Sequence, residues 1–166
     1  KENIVRSSEP DALHFPLLNL HIKDNGLTDI IIAYPFSIND KSCISVLNIQ
    51  EYSWGGAHSS FDREVNWEVK QSTTMFAQGS PSITIDEFVR EAKFEPNHIK
   101  IDIDGNESPA IAGAKNTLTN SKLKTILIEL YEEHPEYNDS LNILAKAGFS
   151  VVAKYTPTMD PNAGKT

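Results

Sequence analysis

The chain has 166 residues, of which 39% are hydrophobic, enough for one ordinary core and one domain. Its formal net charge of −8, with no run of Lys or Arg, argues against a nucleic-acid backbone as partner and points to a small molecule. The single Cys43 leaves no internal disulfide framework and fits a reducing cytoplasm; no apolar run approaches the roughly 18 residues of a membrane span, and Lys1 opens no secretory signal.

Strand-like and helix-like stretches alternate from the start. Ile4 to Arg6 reads as a short strand, Ser7-Ser8-Glu9-Pro10-Asp11 as a turn and helix start, and Ala12 to Asp24 as a helix stopped by Asn25-Gly26. Ile30 to Ala33 is an unbroken apolar run of the kind shown by a strand buried on both faces. After the Asn39-Asp40-Lys41 turn, Cys43 to Ile49 reads as another strand. From Tyr52 to Ser80 the composition is rich in Ser, Thr, Gly, Trp and His, which predicts a long surface excursion in which only Val65 to Val69 looks like strand.

Regularity returns at Ser82-Ile83-Thr84-Ile85-Asp86. Thr84 and Glu87 form a capping box, and Phe88, Val89 and Ala92 give the helix an apolar face that ends before Pro96. Ile99, Ile101 and Ile103 then alternate with Lys100, Asp102 and Asp104, a strand that ends abruptly in acid and glycine. Asn106 to Asn116 reads as a helix, with Ala110, Ile111, Ala114 and Leu118 at helical spacing. Thr125 to Leu130 is predicted as a buried strand, Ser140 to Ala147 as a helix closed by Gly148, and Phe149 to Ala153 as a last strand. The βαβα order predicts an α/β fold with a mostly parallel sheet and helices on both faces, spanning residues 1–155, followed by a frayed tail over 156–166.

In open α/β sheets ligands sit beyond the carboxyl ends of the strands, so the acids of Asp102-Ile103-Asp104-Gly105-Asn106-Glu107 are placed to face a cleft. Three chemistries compete for them. The segment looks like the strand-end DxDG of haloacid-dehalogenase-type phosphatases, in which Asp102 would attack phosphorus and Asp104 serve as acid/base. Asn106 stands where that family has Thr or Val, and too little chain follows to hold its other motifs. A dinucleotide fold with Glu129 as its ribose acid fits less well, because Gly105 and Gly113 are too far apart to cradle a phosphate and Glu107 would repel pyrophosphate.

The third reading is a resemblance. Ser82-Ile-Thr-Ile-Asp-Glu-Phe, Ile99-Lys-Ile-Asp-Ile-Asp-Gly-Asn-Glu, Ala112-Gly113-Ala114 and Ile126-Leu-Ile-Glu129 follow one another in the order and spacing of the FkbM-type methyltransferases. Upstream, Ser8-Glu9-Pro10, Leu18-Asn19 through Asn25-Gly26-Leu27, and Trp54-Gly55-Gly56 match the same pattern. The resemblance implies a Rossmann-like class I methyltransferase fold that uses S-adenosylmethionine to methylate a hydroxyl of a sugar, polyketide or similar metabolite. Glu9 would accept the ribose hydroxyls, Phe36 and Ser37 would flank the adenine, and Asp102 would approach the amino-acid end of the cofactor. Asp104, Glu107 and His134 are the candidates for the base that takes the acceptor proton.

Each assignment has a plainer alternative. Glu9, Asp104 and Glu107 are also the acids that favour a following helix N-terminus, and His134 before Pro135 fits an ordinary loop. Trp54 and Trp67 either line an acceptor pocket or anchor a long loop. His14, His21, His58 and His98 lack paired ligand spacing, so no histidine metal site is expected. Nothing before Ile4 matches the family's opening strand and glycine-rich turn, and its final antiparallel strand is not evident after Tyr155. The resemblance therefore implies a truncated domain that binds cofactor poorly by itself and whose open sheet edge a partner chain in a homo-oligomer would restore. A degenerate, non-catalytic binding module is the rival expectation.

Overall fold

The computed structural model describes residues 4–51, 53, 59–62 and 74–155. The expected Val65 to Val69 strand, Trp54, Trp67, His58 and the 156–166 tail lie outside the described residues. Strand β1 (Val5–Ser8) pairs in parallel with β2 (Ile31–Tyr34), from Val5 opposite Ile31 to Ser8 opposite Tyr34, and helix α1 (His14–Asp24) makes the crossover. α1 starts two residues later than expected, and the turn before it is held by Asp11, whose Oδ1 accepts from the Leu13 and His14 amides at 2.7 and 3.3 Å.

The next strands depart from the expected pattern. β3 (Ser37–Ile38) runs parallel to β6 (Phe76–Ile83), whereas β4 (Cys43–Ile49) lies antiparallel to both β6 and β5 (Ser59–Phe61), giving the order β3-β6-β4-β5. The end of the predicted excursion is therefore a long strand. Its inward positions are Ser80 and Ser82, 1% and 6% exposed, small polar residues that give no apolar alternation. Leu47, Ile49 and Phe61 form the core of this sheet.

Helix α2 (Ile85–Glu91) begins at the expected cap, with the Thr84 hydroxyl accepting from the Glu87 amide at 3.0 Å. β7 (His98–Ile101) and β8 (Thr125–Ile128) form a second parallel pair, Ile101 opposite Ile128. Between them the single helix expected over Asn106 to Asn116 is broken into α3 (Glu107–Ala112) and α4 (Lys115–Leu118). Asp86 causes the break. Its carboxylate takes the Asn116 and Thr117 amides at 2.9 and 2.7 Å, supplying α4 with a cap of its own.

α5 (Tyr137–Lys146) starts earlier than Ser140 and ends at Gly148, whose φ of +95° suits only glycine. Phe149 to Ala153 forms no strand; Val151 and Val152 are exposed and no neighbouring strand among the described residues pairs with them.

The fold is thus α/β with three hydrogen-bonded sheets, two parallel pairs and one mixed sheet, in place of one mostly parallel sheet. Because β1–β2 and β7–β8 are only pairs, neither is covered on both faces: Ile32 and Leu127, expected to be buried, are exposed. The main core gathers Ile85, Ile101, Ala110, Ile111, Ala114, Leu118, Leu123 and Leu144 from α2, β7, α3, α4 and α5. A second apolar contact joins β2 to α2, where Tyr34, Phe36 and Phe94 surround Phe88 and Arg6 stacks on Phe94 at 4.3 Å. No helix among the described residues is long and apolar enough to cross a membrane.

Candidate active site

The acids singled out from sequence stand at the carboxyl ends of the two parallel pairs. Glu9 follows β1 directly, its amide donating to the Tyr34 carbonyl at 3.0 Å, which extends the β1–β2 ladder by one residue. The Ser8 hydroxyl donates to the Phe36 carbonyl, tying the loop after β2 to the same tip. Glu9, Phe36 and Ser37 are therefore neighbouring elements of one corner. Phe36 packs its ring on Tyr34 and Phe88 at centroid distances of 5.4 and 5.1 Å, and Ser37 is 4% exposed with no hydrogen-bond partner for its hydroxyl.

Glu9 Oε1 accepts from the Asp11 amide at 2.9 Å. Burial nevertheless pushes the Glu9 carboxyl above its ordinary range; the Asp11 amide and His14 oppose the shift, and the charges of Asp11 and Asp104 add to it. The Asp104 charge thus reaches Glu9, although one sits at the β7 tip and the other at the β1 tip.

At the β7 tip, the Ile101–Ile128 register places Asp102 beside Glu129, whose amide donates to Ile101 at 3.1 Å. Asp102 is held below the ordinary carboxylate range, chiefly by the Lys100 ammonium that donates to it and next by a hydrogen bond with Glu129. Glu129 is pushed up, first by that same hydrogen bond, then by burial and by the charges of Asp102, Glu107 and Asp104. The contact lowers one carboxyl of the pair and raises the other, as two coupled acids do. The charge of Asp104 contributes to the upward shift of both Glu9 and Glu129.

The loop between β7 and α3 is sharply bent. Asp104 has φ +53° and Gly105 φ +98°, both in the left-handed region. Glu107, 8% exposed, accepts from the Ile103 and Gly105 amides at 3.0 and 3.3 Å through Oε1. Asn106 between them is buried, and its Oδ1 has no partner. His134 lies elsewhere in chain order, in the loop from β8 to α5, where its Nδ1 accepts from the Glu136 amide at 3.2 Å. With Nδ1 accepting, the neutral ring carries its proton on Nε2.

Glu129 is the residue that sequence reasoning left out of the site. The signal was present, an acid directly after a strand, but its meaning depends on the β7–β8 register that sets it against Asp102.

Neither the curated proteins nor the solved structures contain a significant match to this chain. The model of the methyltransferase FkbM domain matches residues 9–151, beginning at Glu9 and taking in Asp102, Asp104 and Glu129. That assignment displaces the phosphatase and dinucleotide readings of the acidic strand: the chain belongs to the FkbM methyltransferase family and is a methyltransferase.

Proposed function

We propose that the domain transfers a methyl group from S-adenosylmethionine to a hydroxyl of a sugar, polyketide or similar small metabolite. The observation that carries this reading is the placement of acids at the carboxyl ends of both parallel pairs, Glu9 after β1 and Asp102 and Asp104 after β7, within the matched family domain. The residues present fit such a cofactor. Glu9 offers a carboxylate for the ribose hydroxyls, Phe36 an apolar wall, and Ser37 a buried hydroxyl with its hydrogen-bonding capacity unused. Asp102, adjacent on the β7 tip, suits a cationic amino-acid end. When bound, the cofactor supplies an electrophilic methyl on a positively charged sulfur.

The chain's own part is alignment and proton removal. Asp104 is the group that takes the acceptor proton on its carboxylate, and the acid-rich mouth favours the positively charged sulfonium. His134 presents an Nε2 proton, so it suits binding an acceptor oxygen better than deprotonating it.

Calorimetric titration of the chain with S-adenosylhomocysteine tests the reading. Micromolar binding that is lost in Glu9→Ala supports it; a chain that fails to bind removes it in favour of a non-catalytic module.

A further inference from the structure

Glu107 stands in the acidic strand-end segment but is occupied otherwise. It is 8% exposed, and one oxygen, Oε1, accepts from the amides of Ile103 and Gly105, the residues on either side of Asp104. A buried carboxylate is stable only with such donors, and two amides converging on a single oxygen fix the spacing between them. That spacing requires the chain to double back at Asp104 and Gly105, whose φ angles of +53° and +98° are the cost of the bend. Glycine accepts its angle freely, whereas Asp104 does so under strain that something must offset.

We propose that Glu107 is a positioning residue of this site: its carboxylate clamps the two amides flanking Asp104 and so fixes where the bent loop presents the Asp104 carboxylate. The inference rests on the reading of Asp104 as the proton acceptor. It removes Glu107 from the candidates for the base and gives the glutamate a reason to stand three residues after Asp104. Neighbouring Asn106 is held inside the same turn, its side chain buried.

The test uses carbon-13 titration of the Glu9 carboxyl in the full chain. Asp104 contributes to the upward shift of Glu9. Asp104→Asn is therefore expected to lower the Glu9 titration midpoint. Glu107→Ala is expected to lower it in the same direction and to speed Gly105 amide exchange about tenfold, the scale of one charge-assisted hydrogen bond. Glu107→Gln, which keeps an acceptor oxygen at the same place, is expected to restore both. A Glu9 midpoint that moves in Asp104→Asn but stays fixed in Glu107→Ala overturns the proposal, as does a Gln variant that behaves like Ala. Should Glu107→Ala fail to fold, Glu107→Asp decides: the shortened side chain must speed exchange of the Ile103 and Gly105 amides together, and independent behaviour overturns the clamp. None of these readouts involves S-adenosylhomocysteine, so failure of the clamp and failure of cofactor binding are separately visible.

Discussion

The backbone of Gly113 passes so close to that of Asn39 that a β-carbon on it would stand 2.5 Å from the Asn39 carbonyl oxygen and 3.2 Å from Cβ of Thr84. Backbone, unlike the end of a long side chain, cannot swing away. Gly113→Ala must therefore push α3 and α4 off the turn after β3, and overpacking of this kind costs about 1–3 kcal/mol. For a domain of this size the expected fall in melting temperature is roughly 2–4 °C per kcal/mol. Thermal unfolding by circular dichroism measures it, and an unchanged midpoint would show that the contact yields.

Asp86 accepts from both the amide and the side chain of Asn116, at 2.9 and 3.0 Å, and from both the amide and the hydroxyl of Thr117, each at 2.7 Å. Asp86→Ala removes the α4 cap and leaves buried Thr117 groups without partners, an expected loss of about 1–3 kcal/mol. The urea midpoint should drop with the slope unchanged. Because the Asp86 carboxylate is taken up by Asn116 and Thr117, S-adenosylhomocysteine affinity should not follow; a parallel loss of affinity would place Asp86 in the site.

Glu9 carries a pH signature. Its folded carboxyl is pushed above the ordinary 4.5, mainly by burial, so the folded state binds a proton that the unfolded chain releases more readily. The stabilisation by this protonation is fully present below pH 4.5 and is lost as pH rises through the folded value, leaving a net penalty at neutrality. Glu9→Gln should accordingly raise the melting temperature at pH 7, with the gain vanishing at acid pH, while cofactor affinity falls. A variant equally stable at both pH values would mean that burial does not set this carboxyl.

Asp102 and Glu129 are shifted in opposite directions by their mutual hydrogen bond. Asp102→Asn should bring the Glu129 titration down towards its ordinary 4.5. Glu129→Gln keeps a donor for Asp102, which should therefore stay low, still held by Lys100. Carbon-13 titration of the two side chains distinguishes these outcomes; if Glu129 keeps its high value in Asp102→Asn, the hydrogen bond is not its cause.

The parts of the fold that were legible in the sequence are those whose signal is local. Cys43–Ile49 was visible as a strand with its observed bounds, and the start of α2 was visible because Thr84 and Glu87 mark it chemically. β6 was hidden, because Gln78-Gly79-Ser80-Pro81-Ser82 buries serines where a pattern search looks for aliphatic residues. The break between α3 and α4 was equally hidden, since it is imposed by Asp86, distant along the chain. For the site, strand-tip acids announced Glu9, Asp102 and Asp104 as positions. The partnership of Glu129 with Asp102 and the inward turn of Glu107 depend on strand register and on a bent loop, neither of which any single segment encodes.

The meeting of Asn39, Thr84, Asp86, Gly113 and Thr117 also bears on how the molecule reaches its native state. These residues come from segments far apart in the chain, and their contacts form only after two long loops have closed, each with its entropic penalty. The knot cannot assemble piecemeal. It is expected to appear late, after the helices have formed, so that weakening it accelerates unfolding more than it slows folding.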